Sequence, residues 1–227
     1  MSKNIEITIP TELREITLGK YLGLLDFMAN ESDDIEVSIR LIALMCDLSK
    51  DEVRTLQIDD FNFIVEQLTQ TMNKKTNYVK PPNFKLGEIE YGFIPNLDEM
   101  TFGEYIDLDT FIKNDKDMHK VMTVLYRPII NQSFGRYNIA DYTGKEDYSI
   151  MLDAPMDAVK TAMVFFYTLG KELLRIMMNS LQAGDNKDTV SKLTSALNGD
   201  GIKASMELLT ETLESSMKPR VFQFTKR

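Results

Sequence analysis

MTFGEYIDLD, residues 100–109, has a close echo in ITLGKYLGLL, residues 16–25. The match extends upstream, where IEITIPTELREITLGKY begins at Ile5 and IEYGFIPNLDEMTFGEY begins at Ile89. The Ile-Glu, Thr, Gly and Tyr positions of the two copies share an offset of 84 residues. Each copy opens with strand-like alternation, closes it with Pro10 or Pro95, and then starts a helix at a threonine. Thr17 has the hydroxyl that accepts an unpaired first-turn N–H. Thr101 and Glu104 form the more complete S/T-x-x-E capping box. In T-x-G-x-Y the glycine admits a close backbone, and the tyrosine lays its ring on the core with its hydroxyl near the rim. The agreement predicts an internally duplicated, mainly helical fold with a small β-sheet (α+β), in which two strand-plus-helix units face each other and pair their strands.

The rest of the chain reads outward from these units. Residues 1–73 form the N-terminal repeat, with helices expected from Thr17, over Asp33–Cys46 and over Asp59–Met72. Between them Ser49 and Glu52 have capping-box spacing. Residues 74–88 form a basic connector, because Pro81 and Pro82 oppose helix. Residues 89–217 hold the second repeat, a strand over residues 88–94 and helices from Thr101 and over Met118–Tyr126. SFGRYNIADYTGKEDY is read as a loop, followed by a long helix over Met156–Met178 and helices at 187–197 and 202–217, separated by the turn NGDGI. On the long helix Ala158, Ala162, Phe165, Phe166, Leu169, Leu173, Ile176 and Met177 share a face. Residues 218–227 form a basic aromatic tail.

With 227 residues, 43% apolar and 27% charged, the chain suits a soluble globular protein with a substantial core. The N-terminus lacks an apolar signal segment, and charges interrupt the most apolar stretch, so neither secretion nor a membrane span is expected. The net charge is −9, yet residues 74–85 carry four Lys and no acid, and residues 218–227 carry two Lys and two Arg and no acid. The remaining body is at −17. Such a body opposes phosphate binding and suits partners with basic patches.

The single Cys46 excludes an intrachain disulfide and reads as a small buried hydrophobe in LIALMC. With one histidine, His119, metal sites built on His and Cys are excluded by number. His119 lies in DMHKVM without a nucleophile elbow and reads as a core-edge residue. Asp33, Asp34, Asp59, Asp60, Asp98, Glu99, Asp107 and Asp109 mostly sit near helix starts, where acids complement the dipole. No catalytic, cofactor-binding or metal-ligating residue is assigned, and no cofactor is expected. LSKDEVRTLQIDDFNFIVEQL, residues 48–68, has the outline of a helix-turn-helix, but its second helix begins Asp59-Asp60 and contains Glu66. In the tail, Arg220, Phe222, Phe224, Lys226 and Arg227 form a strand-like, basic segment suited to a partner's sheet edge; the competing reading packs it on its own domain.

IPNLDEMTFGEYIDLD, MHKVMTVLYRPI and APMDAVKTAMVFFYTLGKELL together resemble small acidic proteins of tailed bacteriophages, such as the crAss-like group. The resemblance spans about residues 89–178, most specifically Thr101–Tyr105, Tyr126-Arg127-Pro128 and Phe165-Phe166. No site residue carries over from it. It implies a virion protein assembled in the host cytoplasm: a head, connector or tail component held by other phage structural proteins in a multi-subunit particle. The alternatives are a tail assembly chaperone coating a long helical tail protein, and a DNA-binding regulator using residues 48–68.

Overall fold

The computed structural model describes residues 6–75, 80–95 and 100–165. Helix starts follow the capping residues. Thr17 Oγ1 accepts the Lys20 N–H at 3.3 Å and opens α1, Leu18–Asn30. Asp33 accepts the Ile35 N–H and opens α2, Asp34–Met45. Ser49 and Glu52 complete both halves of their capping box at α3, Lys50–Arg54. Then comes α4, Ile58–Met72. Each such cap satisfies a donor the helix cannot, which stabilises it by about 1 kcal/mol. At the end of α2, Asp47 takes a left-handed φ of 56° and the Leu48 N–H bonds back to Ala43 O at 3.0 Å, which stops the helix.

α1 packs on α2, which also contacts α3 and α4. α5 (Phe102–Phe111) and α6 (Met118–Leu125) follow the second capping box and pack together. A last described helix, α7, occupies 156–165, the predicted start of the long helix, with Ala158 and Ala162 fully buried. The expected positions beyond 165 on that helix, the helices at 187–197 and 202–217, and the tail lie outside the described residues.

The sheet has four strands in the order β1 (Phe84–Leu86), β2 (Ile89–Phe93), β3 (Tyr126–Ser133), β4 (Arg136–Ile139), all antiparallel. In the register, Phe84 faces Tyr91 and Phe93 faces Tyr126. By the pleat these aromatics share one side. There Tyr126 packs at 4.9 Å from Phe84 and 5.4 Å from Phe93, between ring centroids, and Phe165 of α7 meets Phe93 edge-on at 5.4 Å. The Tyr126 hydroxyl donates to Pro82 O at 3.1 Å, and burial holds its phenol above the ordinary range. Gly92 and Arg127, opposite each other in the register, point to the other side.

Three expectations need correction. Residues 6–10 form no strand, because β2, their expected partner, is already flanked by β1 and β3. The alternation there instead marks burial, with Ile7 and Ile9 against the core and Glu6 and Thr8 exposed. SFGRYNIADYTGKEDY is not all loop, since it contains the β3–β4 turn and β4. The helix placed over Met118–Tyr126 ends at Leu125, and Tyr126 starts β3. Pro128 sits inside β3, accepting from the Ala140 N–H at 2.9 Å where β4 ends, so little is lost through its missing donor.

The starts of α1 and α7 are joined. Thr17 and Pro155 form an antiparallel bridge, with Leu18 N–H to Ala154 O at 2.8 Å and Met156 N–H to Ile16 O at 2.9 Å. A Cβ on Gly19 would lie 3.1 Å from Leu152 O, so the first copy's glycine does admit a close backbone. Gly103 has nothing within 4 Å of a Cβ position, so the same explanation fails for the second copy.

Candidate interaction surface

α5 is tied to the rest of the fold through its first turn. Glu104 Oε2 accepts the Thr101 N–H at 2.6 Å, and Thr101 Oγ1 accepts the Glu104 N–H at 3.3 Å. The second carboxylate oxygen, Oε1, meets Arg127 Nη1 of β3 at 2.5 Å. Both side chains are buried, so the charges interact in a poorly screening medium and each needs the other. Arg127 Nε is buried with no hydrogen-bond partner among the described residues. One turn later Asp107 Oδ2 accepts from the Tyr142 hydroxyl at 2.7 Å, and the Tyr148 hydroxyl lies 3.5 Å from that hydroxyl. Burial, with the bonds to Tyr148 and Asp107, pushes the Tyr142 phenol well above its ordinary range and keeps it a donor. Leu108 and, just past the helix, Ile112 enter the core.

The outer side of α5 carries Phe102, Tyr105 and Ile106, 77%, 39% and 45% exposed. Their i, i+3, i+4 spacing makes them one contiguous apolar face. Tyr105, expected to lie on the core, is therefore turned outward; Leu108 and Ile112 are buried in its stead. Apolar residues at 102, 105, 106, 108, 111 and 112 surround much of the helix, and that signal was present in the sequence.

The second exposed apolar feature is the turn of the β3–β4 hairpin. Phe134 and Gly135 form its two-residue loop with φ of 49° and 75°, the left-handed pair of a type I′ turn. Gly135 adopts this freely, whereas a bulky Phe134 adopts it at a cost. Phe134 is fully exposed, and Ile130 of β3 is exposed too. The base of the hairpin is anchored: the Tyr137 hydroxyl donates to Phe93 O at 2.7 Å, and its ring lies over Gly92. A Cβ at Gly92 would come within 2.5 Å of Tyr137 Cε2, so only glycine leaves that ring its seat.

Comparison of the chain with protein-family models, curated proteins and solved structures finds no match.

The residues singled out for chemistry are dispersed. His119 is half-buried on α6, with Nδ1 buried and without a hydrogen-bond partner among the described residues. Cys46 is buried at the end of α2, and burial pushes its thiol up to about 11. Among the described residues no group of three or more His, Cys, Asp or Glu side chains is placed to hold a metal ion. No described helix is long and apolar enough to cross a membrane. In the helix-turn-helix-like segment, Arg54 pairs with Glu36 at 2.7 Å and Lys50 lies 4.9 Å from the Phe27 ring centroid, while α4 exposes Asp59, Asp60 and Glu66. Arg220, Phe222, Phe224, Lys226 and Arg227 lie outside the described residues.

Proposed function

We propose that this chain is a non-enzymatic structural protein of a tailed-phage virion, a head, connector or tail component that acts through protein–protein contacts. The carrying observation is the apolar face Phe102–Tyr105–Ile106, mounted on a helix fixed by the buried Glu104–Arg127 pair. Exposed apolar side chains on a rigid element suit a surface that a neighbouring subunit covers. The likeness of residues 89–178 to small acidic phage proteins supports the same reading. The duplicated unit belongs to it as well: the matched threonine caps at Thr17 and Thr101 favour a common origin, and the unlike surroundings of Gly19 and Gly103 mark how the copies diverged.

Mass spectrometry of purified mature particles tests this proposal. Stoichiometric presence is expected. Presence in infected cells with absence from finished particles favours the assembly-chaperone alternative. The regulator alternative through residues 48–68 requires salt-sensitive retention of DNA in a filter assay, which the exposed acids of α4 oppose.

A further inference from the structure

The outward side of α4 is uncovered among the described residues. Asp59, Phe63, Glu66 and Gln70 fall at i, i+4, i+7 and i+11, so they form one exposed stripe, turned away from the buried Ile64, Val65 and Leu68. Phe63 is 55% exposed within this stripe, and Ile58 and Asp60 are exposed beside its start. The Asp59 and Asp60 carboxylates make neither an ion pair nor a hydrogen bond among the described residues. Glu66 only accepts from Gln70 Nε2, at 3.1 Å. The nearest preceding bases are engaged elsewhere, Arg54 with Glu36 and Lys50 over the Phe27 ring.

A face with open carboxylates around an exposed phenyl ring suits a ligand that is both basic and aromatic. An exposed phenylalanine alone would need no explanation, but the chain carries its complement. Residues 218–227, KPRVFQFTKR, hold two Lys, two Arg, no acid, and Phe222 and Phe224. The other acid-free basic stretch, residues 74–85, is committed within the fold, with Lys74 Nζ bonded to Thr11 O at 2.6 Å and Phe84 in β1. Lengths also match. Extended, Arg220 to Arg227 spans about 23 Å, and the 15 residues of α4 rise about 22 Å. The segment is within reach as well. Lys160 Nζ of α7 donates to Met72 O and Lys74 O at 3.1 Å each, so α7 starts beside the C-terminal end of α4, and 52 residues separate Phe165 from Lys218. We propose that residues 218–227 dock on the outward face of α4 of their own chain. Phe222 and Phe224 lie against Phe63 and Ile58, and the basic side chains lie toward Asp59, Asp60 and Glu66. This places the tail on its own domain rather than on a partner's sheet edge, and it does not depend on the virion reading.

The test is hydroxyl-radical footprinting of the full chain at low salt, read by mass spectrometry as the oxidation rates of Phe63, Phe222 and Phe224. With an effective concentration of about 1 mM from tethering and a Kd of about 0.1 mM for the free contact, the face is covered about nine-tenths of the time. Removing the anchors with Phe222→Ser/Phe224→Ser should then quicken Phe63 oxidation about tenfold. Neutralising the face with Asp59→Asn/Asp60→Asn/Glu66→Gln should quicken oxidation of Phe222 and Phe224 in turn. Salt at about 1 M should weaken protection in the wild type, because it screens exposed charges. Buried Tyr126 should stay unmodified throughout, which separates undocking from unfolding. Phe63 oxidising at the same rate with and without the two phenylalanines would overturn the inference. So would a wild type in which Phe222 and Phe224 are as reactive as in the denatured chain, a comparison that needs no variant. Protection that appears only as protein concentration rises would overturn it in favour of another copy's segment on this face.

Discussion

Glu104 Oε1 and Arg127 Nη1 meet at 2.5 Å with both side chains buried, so the first turn of α5 and the start of β3 behave as one unit. The same carboxylate closes the capping box on Thr101. One side chain therefore fixes where the helix begins and ties that end to β3.

Removing one partner leaves the other charge buried and uncompensated. Glu104→Gln keeps a capping-competent side chain but loses the charge, and is expected to cost about 3 kcal/mol of stability in urea unfolding. Arg127→Met should cost a similar amount. The double variant Glu104→Gln/Arg127→Met should lose clearly less than the sum, because the two residues share one interaction. Additive losses would show that the pair is not coupled.

The glycines separate the two T-x-G-x-Y copies. Gly19→Ala places a Cβ 3.1 Å from Leu152 O and is expected to destabilise by about 1 kcal/mol or more. Gly103→Ala meets nothing within 4 Å and should stabilise α5 by roughly 0.5–1 kcal/mol, the usual gain of Ala over Gly in a helix. Gly92→Ala should be the worst of the three, with Tyr137→Ala in the same chain recovering part of the loss. Chemical denaturation of the four variants checks the order.

The contrast between the glycines also shows how far the sequence could be read. Caps at Thr17, Ser49 and Thr101 were legible because a single side chain and its own first turn decide them. The strand at Ile89–Phe93 was legible from its alternation. Residues 6–10 carry the same alternation without a ladder, since pairing depends on which edges of β2 are free, a fact the whole sheet decides. The β3–β4 hairpin was hidden because its turn reads Phe-Gly rather than Asn-Gly and because Pro128 argues against a strand. Nor could Arg127 be matched with Glu104 from spacing, as helix α6 lies between them. The outward face of α5 was misread for a related reason. Apolar spacing identifies a face, and only the packing says whether that face is covered.

Cys46 gives a pH-dependent signature. Burial raises its thiol pKa to about 11, above the ordinary value. Its contribution is fully present below the ordinary thiol pKa and is lost as pH rises toward 11, because the unfolded chain ionises first. The stability difference between wild type and Cys46→Ala, measured by urea unfolding, should therefore shrink between pH 8 and pH 10.5, where both proteins share every other titrating group. Alkylation by iodoacetamide at pH 8 should be slow in the folded chain and fast in denaturant. Rapid alkylation of the folded chain would place the thiol at the surface.

The most direct test of a protein that works by contact is hydroxyl-radical footprinting, read by mass spectrometry, of the free chain and of the chain in purified particles. Phe102, Tyr105, Ile106 and Phe134 should oxidise readily in the free chain and be protected in the particle, while buried Tyr126 stays unmodified in both. Equal oxidation of those four side chains in the two states would contradict the account.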